Sequence, residues 1–193
     1  MKEIMKTLFP SWRLLFLLLV LFALPTMAQK PSSEEQKILS YVDTHKEDAV
    51  TLLEKLVNVE SPTQNVAGVK QVGLILKSEF DTIGFQTKWI EMPAEMKRAG
   101  HLVAERTGTK GKKILLLGHL DTVLSGEKFR REGNRAYGTG ASDMKAGDVV
   151  LLYALKALHN AGLLTDAFAG RGAGLSPVAS DPLAPRKPHF DAP

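Results

Sequence analysis

Few segments limit a fold as strictly as Ile114-Leu115-Leu116-Leu117, which is apolar on both of the faces an extended chain presents. Side chains alternate across a strand, so a strand with one wet face alternates apolar with polar residues. An unbroken run suits a central strand covered by helices on both sides. The flanks agree. Ile38, Leu39, Tyr41 and Val42 place apolar residues on one face of a short helix, and Ala49, Leu52, Leu53, Leu56 and Val57 recur at helical spacing. Ser61-Pro62-Thr63 breaks that second helix. A third is predicted over 66–83, with Val69, Val72, Ile75, Leu76, Phe80 and Ile83 buried and Gly84 as its left-handed cap. Strands are expected over 85–91, 101–105 and 113–118, and an apolar helix over 149–161 that Gly162 caps. Helices and strands in this order imply an α/β fold, part of a three-layer sandwich around a largely parallel sheet.

Both ends differ from this pattern. Lys2, Lys6 and Arg13 precede eleven apolar residues, Leu14 to Leu24, and Pro25-Thr26-Met27-Ala28 offers small residues for cleavage after Ala28. Residues 1–28 therefore read as a signal peptide, which implies a secreted or periplasmic protein. Eleven residues rise about 16 Å as a helix, short of the roughly 30 Å hydrocarbon core, so no stable membrane span is expected after cleavage. That leader, with three cations against one anion, carries two of the four net positive charges. The remaining Lys and Arg are scattered rather than gathered in a stripe, which argues against nucleic acid as a partner. At the other end, residues 166–193 are rich in Ala, Gly and Pro, and five of the ten prolines fall in the last 17 residues. No period survives there, and a disordered tail is expected. Residues 29–165 form the part with fold information.

The chain has no cysteine, so no thiolate serves as nucleophile or metal ligand and chemistry falls to His, Asp and Glu. His119 and Asp121 stand where the buried strand ends, the edge at which open α/β sheets place their ligand crevices. Two apart in extended chain, they point to the same side. A carboxylate so placed can orient an imidazole that binds metal; alone, His-x-Asp is as readily a strand-end histidine beside a turn cap. Asp143 follows a glycine-bearing loop, Tyr137-Gly138-Thr139-Gly140-Ala141-Ser142, and precedes the apolar helix. It is placed as a helix N-cap as well as a ligand. A phosphate cradle is weakly supported, since Gly138-x-Gly140 lacks the third glycine of such loops.

Taken together, Gly118-His119-Leu120-Asp121-Thr122-Val123, Phe129-Arg130 and Gly138-Thr139-Gly140-Ala141-Ser142-Asp143-Met144-Lys145-Ala146-Gly147 closely resemble the zinc-dependent aminoacylase/glutamate-carboxypeptidase metallopeptidase family. Leu53-Glu54-Lys55-Leu56-Val57-Asn58 through Ser61-Pro62-Thr63 is similar to its N-terminal helix. The resemblance covers roughly residues 38–165. It implies that His119 ligates one zinc, that Asp143 bridges two, and that Asp121 is the catalytic-site carboxylate that orients His119. In such enzymes the peptide after the bridging aspartate, here Asp143-Met144, is often cis. Two zinc ions generate hydroxide near neutral pH and stabilise the oxyanion of amide hydrolysis. The implied substrate is a small peptide or an N-acyl amino acid, with a lean toward the glutamate-carboxypeptidase branch.

The same resemblance implies parts that have no counterpart here: a strand ending in a Glu-Glu pair that supplies the general base and a ligand, a further acidic ligand, a distant histidine, and an inserted dimerisation domain. Glu34-Glu35 lies beside the leader, and His189 and Asp191 lie in the tail. The chain is accordingly expected to be a truncated, inactive form that does not build the homodimer of complete relatives. The loss of pattern at Asp166 reads as a frameshift followed by a chance stop. The alternative is a secreted, non-catalytic remnant that binds metal or a partner.

Overall fold

In a computed structural model, the structure describes residues 30–107 and 114–164 and the backbone of 173–175. The leader expected at residues 1–28 and most of the tail expected at 166–193 lie outside the described residues. The chain divides into two compact units, residues 1–32 and Ser33 onward; the second carries all the elements that follow.

Three helices come first: α1 (Ser33–Thr44), α2 (Lys46–Val57) and α3 (Val66–Thr82). The break between α2 and α3 falls at Ser61-Pro62-Thr63 as the sequence requires, and α3 restarts on Asn65, whose side chain accepts from the Gly68 amide at 3.0 Å. That bond satisfies one of the orphan donors of a helix start. At its far end Gly84 sits at φ +77°, and the Phe85 amide returns to the Phe80 carbonyl, a left-handed closure. Strands β1 (Gln86–Ile90) and β2 (His101–Glu105) then pair antiparallel with Trp89 opposite Leu102. Next come β3 (Leu116–Gly118), a hairpin of β4 (Arg130–Glu132) and β5 (Arg135–Tyr137), helix α4 (Ala146–Asn160) and β6 (Ala173–Leu175).

The main sheet has the order β1-β2-β6-β3. Its directions differ from the largely parallel sheet expected: β3 and β6 run parallel, whereas β2 is antiparallel to both β1 and β6. Only ten residues join β1 to β2, and a parallel pair needs a crossover of a dozen or more. Strand β6 also lies inside the segment expected to be unstructured. Its Ala173-Gly174-Leu175 carries no apolar periodicity, but a ladder is made by backbone groups, and these pair with β2 and β3. The hairpin β4–β5 stands where the sequence pattern suggests only a loop; it closes at Gly133, which takes φ +58°.

The core gathers Leu52 and Leu56 from α2, Val69, Val72, Leu76 and Phe80 from α3, Leu102 and Ala104 from β2, Leu120, and Val149, Leu152 and Leu155 from α4. Burying a side chain of this size contributes about 1.5–3 kcal/mol. All of this packing lies on the face that Leu102 and Ala104 share. Leu116 reaches it, but Leu115 and Leu117 are 56% and 67% exposed. The described residues thus supply the sheet and one helix layer, and the strand expected to be buried on both faces is buried on one. Among them no helix is long and apolar enough to cross a membrane.

Candidate metal centre

Three segments meet at the end of β3. The first is the chain just past the strand, His119 to Thr122. The second is the exit from α2, where Pro62 bridges to Thr122 in parallel fashion, the Thr122 amide donates to the Ser61 carbonyl at 2.8 Å, and the Thr63 amide donates to the Thr122 carbonyl at 3.1 Å. The third is a wide turn, Ala141–Lys145, that feeds α4. Gly140 lets this turn approach: it takes φ +76°, and a methyl group there would stand 2.3 Å from Thr122 Cγ2. No residue with a side chain fits both conditions. The loop between the two halves of the site is tied to the end of α2, where Asn58 accepts from the Phe129 amide and from the Lys128 ammonium at 3.0 Å each.

The turn places Asp143 outside helical geometry, at φ −134° and ψ 95°, and the Asp143–Met144 peptide is cis. The N-cap alternative does not hold. Lys145 occupies the cap position of α4 without a side-chain cap bond, and the Asp143 carboxylate turns instead to His119, its Oδ1 2.9 Å from Nε2. The other ring nitrogen, Nδ1, donates to the Asp121 carbonyl at 2.9 Å. A carbonyl can only accept, so this bond fixes the proton of the neutral ring on Nδ1 and leaves the Nε2 lone pair facing the carboxylate. A cation between Nε2 and Oδ1 is what this arrangement favours, and a proton or a metal ion can fill that role.

The structure therefore brings His119, Asp121 and Asp143 together, with a division of labour inside Asp121 that the sequence does not reveal. The backbone oxygen holds the imidazole. The carboxylate stands 3.4 Å from Nδ1 and accepts instead from the Thr63 hydroxyl at 2.6 Å, which leaves it buried and engaged. Burial by itself would lower the His119 pKa. The Asp143 hydrogen bond, the Asp121 carbonyl and the charges of both aspartates outweigh it and hold the ring above its ordinary value.

Two charged groups lie beneath the site that sequence pattern alone does not assign to it. Lys145 is 1% exposed, and its ammonium donates to the Leu56 and Val59 carbonyls at 2.9 Å each; burial lowers its pKa to about 8. Asp148 is 0% exposed, with neither carboxyl oxygen hydrogen-bonded among the described residues. Burial raises it to about 7 against the opposing charges of His119 and Lys145. Lys145 belongs to the motif segment, and a charged residue in the first turn of an apolar helix is the available signal for Asp148.

Zinc accepts imidazole nitrogen and carboxylate oxygen, so the donor types of His119 and Asp143 fit it. Among the described residues, however, no group of three or more His, Cys, Asp or Glu is arranged to hold a metal ion, since the Asp121 carboxylate is turned to Thr63, and zinc sites use three or four protein ligands. The pair fits as part of a coordination sphere and does not close one.

Comparison with known proteins points the same way. Residues 115–167, which contain His119, Asp121 and Asp143, match the family model described as Peptidase family M20/M25/M40. The chain is similar to carboxypeptidase G2 of Pseudomonas sp. strain RS-16, with 35% identity over 138 residues, covering 68% of this chain and 33% of the relative. An uncharacterized metallohydrolase of Methanocaldococcus jannaschii is 30% identical over 113 residues, 58% of this chain and 30% of its own length. Among solved structures, human carnosine dipeptidase 1 superposes with a TM-score of 0.60 at 20% identity, over 73% of this chain and 34% of that one; this likeness shows the shared fold. The chain spans about a third of the length of each of these three proteins.

Proposed function

We propose, from the premise that this chain belongs to Peptidase family M20/M25/M40 and carries the N-terminal part of its catalytic domain, that it supplies half of a zinc-dependent amidohydrolase site. In this reading His119 and Asp143 are zinc ligands and Asp121 holds His119 in the ligating tautomer. The single observation that carries it is the convergence of His119 Nε2 and Asp143 Oδ1, from segments 24 residues apart, to 2.9 Å, with the opposite ring nitrogen pinned. When bound, zinc supplies an activated water and polarises the scissile carbonyl. The substrate class is a small peptide or an N-acyl amino acid. The name of carboxypeptidase G2 supports an exopeptidase acting at a free carboxyl end, of the glutamate-carboxypeptidase kind.

In this reading the 193 residues on their own are inactive toward either substrate, because His119 and Asp143 are the ligands assigned and a zinc site takes three or four. The same shortage supports a second reading, a secreted non-catalytic protein that binds metal or a partner. The leader motif supports export to a periplasm or the extracellular space, without a membrane span once cleaved and without nucleic acid as partner; a homodimer is left to complete relatives. The test puts residues 38–165 of this chain in place of the corresponding segment of carboxypeptidase G2. The carboxypeptidase activity of the parent enzyme is expected in the chimera and is expected to vanish with Asp143→Ala. A folded chimera that keeps its activity after Asp143→Ala contradicts the ligand assignment, and hydrolysis by the 193-residue chain alone contradicts its inactivity.

A further inference from the structure

We propose that Lys145 is a positioning residue for the metal-ligand pair, acting through the α2 exit segment rather than on the metal. The chain of contacts is continuous. Lys145 lies two residues after Asp143, and its ammonium holds the Leu56 and Val59 carbonyls, the last turn of α2 and the first residues beyond it. Four residues after Val59, Thr63 donates to the Asp121 carboxylate at 2.6 Å, and Ser61 and Thr63 pair with the backbone of Thr122. Asp121 in turn holds His119 through its carbonyl. One buried cation therefore fixes the distance between the turn that carries Asp143 and the segment that seats His119.

The alternatives open to a lysine make this placement informative. A fully buried ammonium is costly unless its protons are hydrogen-bonded, and a lysine that served only the end of a helix would do so from the surface, where its head stays in water. Lys145 is instead buried beneath the ligand-bearing turn, where one position reaches both segments. Groups that orient ligands in this indirect way commonly change metal affinity by 10- to 100-fold.

The proposal takes its purpose from the reading of His119 and Asp143 as ligands, but its first readout does not depend on metal. The chain has no cysteine, so Lys145→Cys introduces a single thiol. Alkylated in the unfolded state with bromoethylamine, it regains an ammonium at lysine's reach; alkylated with iodopropane, it becomes a neutral side chain of the same length. After refolding, the His119 ring is followed by proton–nitrogen correlation spectroscopy, and zinc affinity by competition with a chromophoric chelator. The propylated protein is expected to lose the fixed Nδ1–H tautomer of His119 and to bind zinc at least about tenfold more weakly, and the aminoethylated protein to recover both. Leu52→Ala, a core truncation in α2 away from these contacts, is expected to lower stability while leaving the His119 signals in place. Unchanged His119 signals in a folded propylated protein overturn the proposal, as does an equal loss of tautomer in Leu52→Ala. If the propylated protein does not fold, Thr63→Val cuts the same chain of contacts at its other end, and unchanged His119 signals there overturn it equally. Tautomer loss on propylation, together with a parent chain that binds no zinc, supports the positioning and refutes the ligand reading instead.

Discussion

Replacing Asp148 with asparagine should stabilise this protein increasingly as the pH rises. Its carboxyl is 0% exposed with no hydrogen-bond partner among the described residues, and burial raises its pKa from 3.8 to about 7. A pKa raised by folding means that the folded state holds a proton the unfolded state has lost. The stability tied to that proton is complete below the unfolded pKa and is lost as pH climbs toward the folded one. Raising a carboxyl pKa tenfold in proton affinity corresponds to about 1.4 kcal/mol. The loss is therefore about 1 kcal/mol at pH 4.5 and about 4 kcal/mol at pH 7.5. Asparagine does not ionise, and whatever its amide costs in that site is independent of pH. The stability difference between Asp148→Asn and the parent should thus grow in favour of the variant by about 3 kcal/mol across that interval. Urea unfolding of both proteins at pH 4.5, 6.0 and 7.5, followed by tryptophan fluorescence, measures it. A difference that stays flat with pH, or moves toward the parent, would refute the reasoning and place an unseen partner on the carboxylate.

Thr63→Val keeps the shape of the side chain and removes the hydroxyl that donates to Asp121; hydrogen bonds to charged groups contribute about 1.5–3 kcal/mol, and a loss of that size in urea unfolding is expected. Gly140→Ala forces a side chain into φ +76° and against Thr122, so it should cost more than about 1 kcal/mol; an unperturbed thermal midpoint would show that the turn relaxes. Leu117→Lys alters the uncovered face of β3, where the leucine is 67% exposed. Surface changes of this kind stay within about 0.5 kcal/mol of neutral, while exposed apolar edge strands invite self-association. Light scattering should report less aggregation for the variant at unchanged stability, and equal aggregation would mean that another surface drives it.

Much of this arrangement is legible in the sequence for identifiable reasons. Strong helical periodicity locates α2, α3 and α4, and the glycines that end α3 and α4 both take positive φ. The pairing of His119 with Asp143 is reachable only by resemblance, since no local pattern brings together residues 24 apart. What stays hidden depends on long-range geometry. Strand β6 is a backbone ladder in a segment whose side chains carry no signal. The exposure of Leu115 and Leu117 depends on what packs above the sheet rather than on their own hydrophobicity. Asp121 illustrates the limit most clearly: the residue is identifiable, but its carbonyl holds His119 while its carboxylate is claimed by Thr63. The burial of Lys145 and Asp148 is equally hidden, because burial of a charge is a property of the fold and not of the residue.

The central claim is that His119 and Asp143 are one part of a zinc site that these residues alone do not close. Zinc titration of the purified 193-residue protein at pH 7.5, by competition with a chromophoric chelator, tests it most directly. The account predicts weak binding of no more than one zinc per chain, abolished by either His119→Ala or Asp143→Ala. Tight binding of two zinc ions, or zinc binding that survives both substitutions, would contradict it.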